Sequence, residues 1–487
     1  MRPWLLKGLV GESSYSKSST MPQLLICTGR NVLLPGNPEP VPATITIHVL
    51  TGKIIDIAQT YQPRDAQPHD DAIEWIDAGD NTVLPGLVDA HVHLNEPGRI
   101  DWEGFRTGTK AAISGGVTTV VDMPLNSIPP TTTVEHLELK RMAAQHQCYS
   151  DVAFWGGELN NPYYIRSNAQ QKDLKPLIAA GIKGFKCFLI ESGVDEFPFV
   201  EKHDLELSMS ELQNTSTVLL FHAELGTTEI PESPEGTSDP TLYSTFLQSR
   251  PEKLETDAIS LITSLQKTYP TLRCHIVHLS ASSALPLIRA ARAAGLNLTV
   301  ETCFHYLCLS TDEIPNGHPE FKCCPPVRDA HNQDSLWDGL KEGLIDSVVS
   351  DHSPCVAELK KLDQGDIMGA WGGISTLGLG LSLLWTEGQK RGVSLAQIVD
   401  WTSTKSAEHA GLGHLKGKLQ VGLDGDFVIW NPNAEFTVTR ESLNFKNKVS
   451  PYVGMTLQGQ VEMTFLRGVL VYDINRSEEL ARMGQLL

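Results

Sequence analysis

Short apolar runs alternate with amphipathic segments through most of the chain. Segments such as WEGFRTGTKAAISGG and DSLWDGLKEGL carry apolar residues at three- and four-residue spacing, which is typical of helices that bury one face. The apolar runs are rich in β-branched residues and almost continuous, as expected of strands buried on both faces. Eight such runs occur, at residues 82–94, 117–124, 151–158, 181–190, 217–224, 273–280, 297–306 and 347–354.

This alternation predicts an α/β fold, a (β/α)8 barrel of the TIM type with parallel central strands. A doubly wound open sheet is the alternative architecture. However, no GxGxxG or Walker-type loop follows the first strand, so the sequence favours the barrel.

Both ends of the chain read as short strands separated by turns. Residues 23–84 contain segments such as ATITIHVLTGKIIDIA, and GDFVIWNP and VEMTFLRGVLVYD lie near the C-terminus. We therefore expect a small β-sandwich built from both chain ends, 23–84 and 416–475, beside a barrel at 85–415. Residues 1–22 are then a disordered leader and 476–487 a C-terminal tail.

Composition narrows the range of partners and compartments. The net charge is −19 and no basic cluster exists beyond Lys360 and Lys361, so binding to nucleic acid is not expected. None of the nine cysteines forms a CxxC pair, which indicates reduced thiols and a cytoplasmic protein. Apolar stretches reach only roughly ten residues, short of the ~18–20 that cross a membrane. Lys7 and Glu12 argue against a secretory signal, while organellar import through the leader stays open.

The stretch GLVDAHVHLNEPGR, residues 86–99, ends a predicted strand with two histidines. Side chains at i and i+2 of a strand lie on the same side, so His91 and His93 can converge on one point. Later predicted strands also end in polar side chains. Because the carboxyl ends of barrel strands open on one face, we expect all of these side chains to meet there. The later residues are Lys186, His222, His278 and Asp351.

Imidazole and carboxylate are ligands of zinc and similar divalent ions. Four histidines and an aspartate exceed the needs of one tetrahedral ion, so the set indicates two ions. Lys186 is the exception, because an ammonium group buried beside two cations is strongly unfavourable. Singly, each residue also has an ordinary explanation, such as a strand-end lysine that reaches solvent or an aspartate that caps a helix.

The motifs DAHVHLNEPG, GFKCF and SDHSPC resemble those of the binuclear amidohydrolase superfamily. The resemblance is to its cyclic amidase branch, which contains hydantoinases, dihydroorotases and allantoinases. It implies that Lys186 reacts with carbon dioxide and becomes an anionic carbamate bridging two ions, Zn²⁺ or another divalent metal. The other implied ligands are His91, His93 and Asp351 for one ion and His222 and His278 for the other.

Within this branch the chain is most similar to the allantoinases, over roughly residues 23–473. The similarity lies in EPGRIDWEGF, GGVTTVVDMPLNSIPPTT, GFKCFLIESGVDEFP, MGAWGGIS and NKVSPYVG. Two positions depart from the family pattern: Phe304, where the family usually has proline, and Cys324, where relatives commonly have serine. Relatives use backbone groups at the second position to bind substrate, so Cys324 stays a candidate for substrate contact.

The residue two positions after the second histidine bears on the substrate. Dihydroorotases carry an arginine there, which suits an anionic ring, whereas this chain has Asn95. An uncharged donor and acceptor suits a neutral ureide such as allantoin. Asn95, Ser353 and the two glycines named below could equally be turn and cap residues. The predicted substrate contacts are Asn95, Cys324, Ser353, Gly372 and Gly373.

The resemblance thus implies a small-molecule substrate, allantoin, hydrolysed at its cyclic amide to allantoate in purine breakdown. Asp351 would be both metal ligand and catalytic proton carrier. It also implies a homotetramer. The alternatives are a hydantoinase or dihydropyrimidinase acting on other cyclic ureides, and a non-catalytic scaffold of the same fold.

Overall fold

The computed structural model describes residues 22–66, 70–158, 171–230, 239–476, 478 and 480–487. The leader expected at residues 1–22 lies outside the described residues, apart from its last position. Within the described ranges, no helix is long and apolar enough to cross a membrane.

The strands and helices follow one another in an order that separates a barrel from the two chain ends. The strands are β1 (Leu24–Val32), β2 (Val41–His48), β3 (Lys53–Ala58), β4 (Ile73–Asp77), β5 (Thr82–Pro85), β6 (Leu87–Val92), β7 (Val117–Asp122), β8 (Asp151–Phe154), β9 (Gly156–Gly157), β10 (Phe185–Phe188), β11 (Val218–His222), β12 (Arg273–Ile276), β13 (Leu298–Cys303), β14 (Ser347–Val349), β15 (Phe427–Thr437), β16 (Thr456–Leu466) and β17 (Val469–Asp473). The α-helices are α1 (Phe105–Ser114), α2 (Val134–Ala144), α3 (Gln171–Ala179), α4 (Lys202–Leu212), α5 (Tyr243–Ser249), α6 (Lys253–Gln266), α7 (Leu285–Ala293), α8 (Phe304–Cys308), α9 (Ala330–Lys341), α10 (Gly380–Gln389), α11 (Leu395–Val399) and α12 (Lys405–His409).

The predicted barrel is confirmed, because each of the apolar runs contains a parallel strand of one closed ring. β6, β7 and β8 pair in that order, and β9 to β14 pair in sequence. The third stave is divided, so that β8 pairs with β7 while its continuation β9 pairs with β10. A parallel bridge between Val92 and His352 closes the ring beside β14. The carboxyl ends of the strands therefore surround one opening.

The barrel strands form in the apolar runs of the sequence, and none of their residues in β6, β7 or β8 is exposed to solvent. Every residue of β6, β7 and β8 is buried, as expected of strands covered by helices outside and by side chains inside. Two of the helices between the strands begin at a side chain that accepts from a free backbone N–H group. Thr133 accepts from the backbone N–H of His136 at the start of α2, and Asp329 accepts from that of Asn332 at the start of α9.

The small β-domain combines both chain ends, as predicted. Its sheet has the order β17-β16-β15-β5-β1-β2-β3, with β4 paired to β1. The junction between the two chain ends is the antiparallel pairing of β15 with β5, in which Phe427 lies opposite Pro85. The domain has a core of its own, in which the rings of Phe427 and Phe465 stack with centroids 4.2 Å apart. The boundaries 23–84, 85–415 and 416–475 stay a prediction.

The segment predicted as a C-terminal tail packs against the barrel. The backbone N–H of Gly484 donates to the carbonyl of Cys148, and Leu486 forms a parallel bridge with Val152 in β8. The backbone N–H of Gln485 donates to the carboxylate of Asp151 over 2.7 Å. The last residues thus cover the beginning of the third barrel stave.

Candidate active site

The six predicted metal ligands line one cavity of about 260 Å³ at the carboxyl ends of the barrel strands. These six residues come from the ends of five staves, as the sequence predicts. Leu125, Phe188 and Trp371 supply apolar walls, and Arg250 and Lys322 supply positive charge. The cavity residues predicted as ligands are His91, His93, Lys186, His222, His278 and Asp351.

The first group in the cavity is formed by His91, His93 and Asp351. The two histidines lie at the end of β6, two residues apart, and both direct Nε2 at one carboxylate oxygen of Asp351, over 3.2 and 3.3 Å. Asp351 follows β14 and adopts a left-handed backbone conformation with φ of 42°. This conformation is uncommon for a residue other than glycine and is often found at functional sites.

The second group is formed by His222 and His278, from the ends of β11 and β12. Nδ1 of His222 lies 3.0 Å from Nε2 of His278. Nε2 of His222 lies 2.7 Å from the carboxylate of Glu224, and the ring of Phe188 stacks on its imidazole at 4.4 Å. Because Nε2–H is donated to Glu224, the lone pair of Nδ1 faces His278 and the cavity.

Lys186 lies in β10, where its side chain interacts electrostatically with Asp351 of the first group and with His222 and His278 of the second. Its side chain is fully buried, and Nζ has no hydrogen-bond partner among the described residues. The nearest aromatic face is that of Phe188, with Nζ 5.1 Å from the ring centroid. Burial lowers the pKa of Lys186 to about 8, against the opposing pull of Asp351 and Glu301. An amine kept partly neutral in this way is suited to react with carbon dioxide.

The electrostatics of the cavity suit metal ligands. Burial lowers the pKa of His93, that of His222 to about 4, and that of His278 well below its usual value, so these imidazoles are neutral. Burial would raise the pKa of Asp351, but His91 and His93 outweigh it and lower the pKa to about 2. Neutral imidazoles, an ionised carboxylate and an orphaned amine fit a binuclear divalent-metal centre.

Buried residues behind the ligands were not predicted from the sequence. Glu301, in β13, lies 2.5 Å from Nδ1 of His91, and Glu224 holds His222 as described above. Glu224 also forms an ion pair with Arg250, which lines the cavity. A signal for both glutamates existed, since each is a lone carboxylate within or just after an otherwise apolar strand.

The predicted substrate contacts divide into two groups. Cys324, Ser353, Gly372 and Gly373 all line the cavity. A Cβ on Gly373 would come within 2.3 Å of the carbonyl oxygen of Ser353, so only glycine fits there. Asn95 is not among the residues that line this cavity. It is buried, and its amide donates to the carbonyl of Pro354 over 3.3 Å.

The two departures from the family pattern have local explanations. The ring of Phe304 packs on the first residue of α10, where a Cβ added to Gly380 would come within 2.3 Å of the ring. Phe304 therefore occupies space that glycine leaves open. Cys324 lies beside Gly372, because a Cβ on that glycine would be 3.0 Å from Sγ.

Comparison with known proteins agrees with this geometry. A model of the amidohydrolase family matches residues 82–471. An allantoinase from Saccharomyces cerevisiae is 49% identical over 412 residues, covering 83% of this chain and 86% of that protein. A mitochondrial allantoinase from Aquarana catesbeiana is 53% identical over 345 residues, covering 71% and 69%. The solved structure of an L-hydantoinase (dihydropyrimidinase) from Arthrobacter aurescens is similar with a TM-score of 0.85 at 28% identity, covering 95% and 99%.

Proposed function

This chain belongs to the amidohydrolase family, and from that premise we propose that it hydrolyses the cyclic amide of allantoin to allantoate, a step of purine degradation. The observation that carries the proposal is the set of six ligand-type side chains on one cavity, in a chain similar to allantoinases over most of its length. Cavities at this end of a barrel are where such enzymes build their active sites.

The residues present fit two divalent ions, which we propose to be Zn²⁺. His91, His93 and Asp351 would hold one ion and His222 and His278 the other. Lys186, carboxylated by carbon dioxide, would hold both, which accounts for a buried Nζ without a partner. Bound there, the ions would polarise the substrate carbonyl and acidify a water molecule.

The chain itself contributes a proton carrier and a pocket that is partly apolar. Asp351 is ionised in this cavity and so can accept a proton from the attacking water. Oxygen then bonds to the ring carbonyl carbon, the carbon–nitrogen bond breaks, and Asp351 returns the proton to the departing ring nitrogen. The rim formed by Cys324, Ser353, Gly372 and Gly373 would orient the ring, and Arg250 and Lys322 make the cavity tolerant of the carboxylate that ring opening creates.

A second candidate is favoured by the close similarity to the hydantoinase fold. A hydantoinase or dihydropyrimidinase would use the same six residues on other cyclic ureides. The non-catalytic scaffold is opposed by the retention of every ligand-type residue in one cavity.

One assay separates these functions. We expect purified protein to hydrolyse allantoin much faster than hydantoin or dihydrouracil, and to lose this activity on treatment with a chelator. Faster turnover of hydantoin or dihydrouracil would favour the second candidate. Protein with less than about one ion per chain and no turnover would favour the scaffold.

Asp351→Asn tests the proton-carrier role within this assay. We expect turnover of allantoin to fall by about 10²–10⁴-fold with metal content retained, since general acid–base groups contribute on that scale. Full turnover with both ions bound would contradict the role assigned to Asp351.

The oligomeric state and the cellular compartment of the protein are also proposals. We propose a homotetramer in the cytoplasm, and the mitochondrial relative keeps organellar import as the alternative. Light scattering of the purified protein and localisation of a C-terminally tagged chain test the two statements.

A further inference from the structure

His91 directs its two ring nitrogens at two different carboxylates. Nε2 faces Asp351 in the cavity over 3.2 Å, whereas Nδ1 faces Glu301 over 2.5 Å on the side away from the cavity. The second oxygen of Glu301 lies 3.1 Å from Nε2 of His275, and Nδ1 of His275 lies 2.7 Å from the hydroxyl of Thr299. Four residues, one from β6, one from β12 and two from β13, thus form one chain of hydrogen bonds.

The direction of each bond follows from the chemistry of the groups. An ionised carboxylate only accepts, so both imidazole nitrogens that face Glu301 must carry a proton. His275 is then protonated on Nε2, and its Nδ1 accepts from the hydroxyl of Thr299. His91 is protonated on Nδ1, which leaves the lone pair of its Nε2 directed at Asp351 and the cavity.

We propose that Glu301 is a positioning residue that fixes the tautomer and the ring orientation of His91, so that Nε2 is delivered to the metal centre. This inference rests on the function proposed above. Glu301 is fully buried and does not line the cavity, so it acts through His91 rather than on the substrate. Carboxylates placed behind metal-binding histidines in this way typically change metal affinity or activity by about 10–100-fold.

Glu224 is a useful contrast, because it holds His222 in a similar way but also pairs with Arg250 in the cavity wall. Changes at Glu224 therefore affect metal and substrate together. Substitutions at Glu301 should weaken metal binding and should change the Michaelis constant for allantoin only slightly.

The test measures metal affinity of the folded protein by competition with a chelator, with metal content per chain as a second readout. We expect Glu301→Leu to weaken binding of one of two Zn²⁺ ions by about 10–100-fold. Glu301→Gln should weaken it less, because its amide oxygen can still accept from Nδ1 of His91. Glu158→Gln is the matched control, since Glu158 is also buried but is not hydrogen-bonded to an imidazole in the described structure.

The outcomes separate this inference from the proposed function. A wild-type protein that binds no metal would overturn the function and the inference with it. A wild-type protein that binds two ions, together with a Glu301 variant of equal affinity, would overturn the inference alone. If Glu301→Leu fails to fold, Glu301→Gln decides. A lowered melting temperature of the metal-free variant with unchanged metal affinity would mean a purely structural role and would also overturn the inference.

Discussion

Two buried lysines at opposite ends of the barrel show how the same side chain is used in opposite ways. Lys186 lies at the carboxyl ends of the strands and is 0% exposed, and Lys416 lies where β8 begins and is 2% exposed. Nζ of Lys186 has no hydrogen-bond partner in the described residues, whereas Nζ of Lys416 contacts three carboxylates. The two side chains are buried to a similar extent, but only Lys416 has hydrogen-bond partners in the described structure.

The Lys416 cluster ties together the barrel, the small β-domain and the C-terminal segment. Nζ lies 2.5 Å from Asp151, 2.8 Å from Asp424 and 2.7 Å from Asp426. Arg467 pairs with Asp151 as well. The three aspartates have the geometry of a metal site, but the ammonium group already occupies their centre.

The difference shows in the pKa values and indicates the use of each site. Burial alone would lower the pKa of Lys416, but Asp426, Asp151 and Asp424 outweigh it and raise the pKa above its usual value. At Lys186 desolvation prevails and lowers the pKa to about 8. A buried lysine whose ammonium group has carboxylate partners, at the amino ends of the strands, stabilises the fold. A buried lysine without hydrogen-bond partners, at the carboxyl ends where barrel active sites lie, indicates a functional role.

The largest effect is expected from Lys186→Met. This change removes the residue proposed to hold both ions, so turnover of allantoin should fall by more than the ~10²–10³-fold that loss of a single oxyanion donor costs. The melting temperature of the metal-free protein should be equal or higher, because methionine avoids the cost of burying an unpaired amine. Lys183→Met is the control and should retain turnover. A strongly destabilised Lys186→Met protein would break the comparison, since Lys186 would then be a stabilising residue.

Lys416→Met should have the opposite signature. Loss of the ammonium group removes the ion-pair partner that three buried carboxylates share. Asp151 and Asp424 each keep one other cation, but Asp426 is left without an ion-pair partner in the described structure, so the free energy of unfolding should fall by about 3–5 kcal/mol. Because the pKa of Lys416 is higher in the folded state, its contribution is complete below the unfolded value of about 10.4 and is lost only as pH rises through the folded value. Urea unfolding at neutral and mildly alkaline pH should therefore give the same difference from wild type.

Lys418→Met is the control for that measurement. Lys418 lies two residues away and forms a more exposed pair with Glu408, so its replacement should change stability by less than about 0.5 kcal/mol. An equal loss of unfolding free energy in the Lys416 and Lys418 variants would mean that the buried cluster stabilises the fold no more than an exposed ion pair does.

A smaller effect is expected from Arg467→Gln. Arg467 pairs with Asp151 and also donates to the carbonyl of Met483 in the C-terminal segment. Loss of these charged hydrogen bonds should lower the free energy of unfolding by about 1.5–3 kcal/mol and expose the C-terminal segment to limited proteolysis. Unchanged proteolysis would show that the backbone contacts of Gly484 and Gln485 hold the segment without Arg467.

Much of the fold could be predicted because its signals are local. Continuous apolar runs mark strands buried on both faces, and the strand-end position of Lys186 and the histidines follows from those runs. The residues behind the ligands could not be predicted in the same way. Glu301 is visible as a charge inside an apolar strand, but its pairing with His91, 210 positions earlier, exists only once the barrel closes.

Asn95 and Asp151 illustrate the same limit. The spacing of Asn95 after His93 predicts a substrate contact, which stays a prediction, but the spacing does not show that its backbone is left-handed, with φ of 64°, or that its side chain donates to the carbonyl of Pro354. Asp151, Asp424 and Asp426 carry no motif, and their meeting around Lys416 depends on how the small β-domain packs against the barrel.

The sequence by itself determined the strand and helix periodicity, the family motifs and the six candidate ligand residues at strand ends, because each of these signals depends on residues close together in the chain. The tertiary structure alone decided which buried charges have partners. Partners for a buried charge come from distant segments, and the low polarity of the interior makes their presence or absence costly. That is why Lys186 and Lys416, both buried lysines, have opposite surroundings in the folded protein.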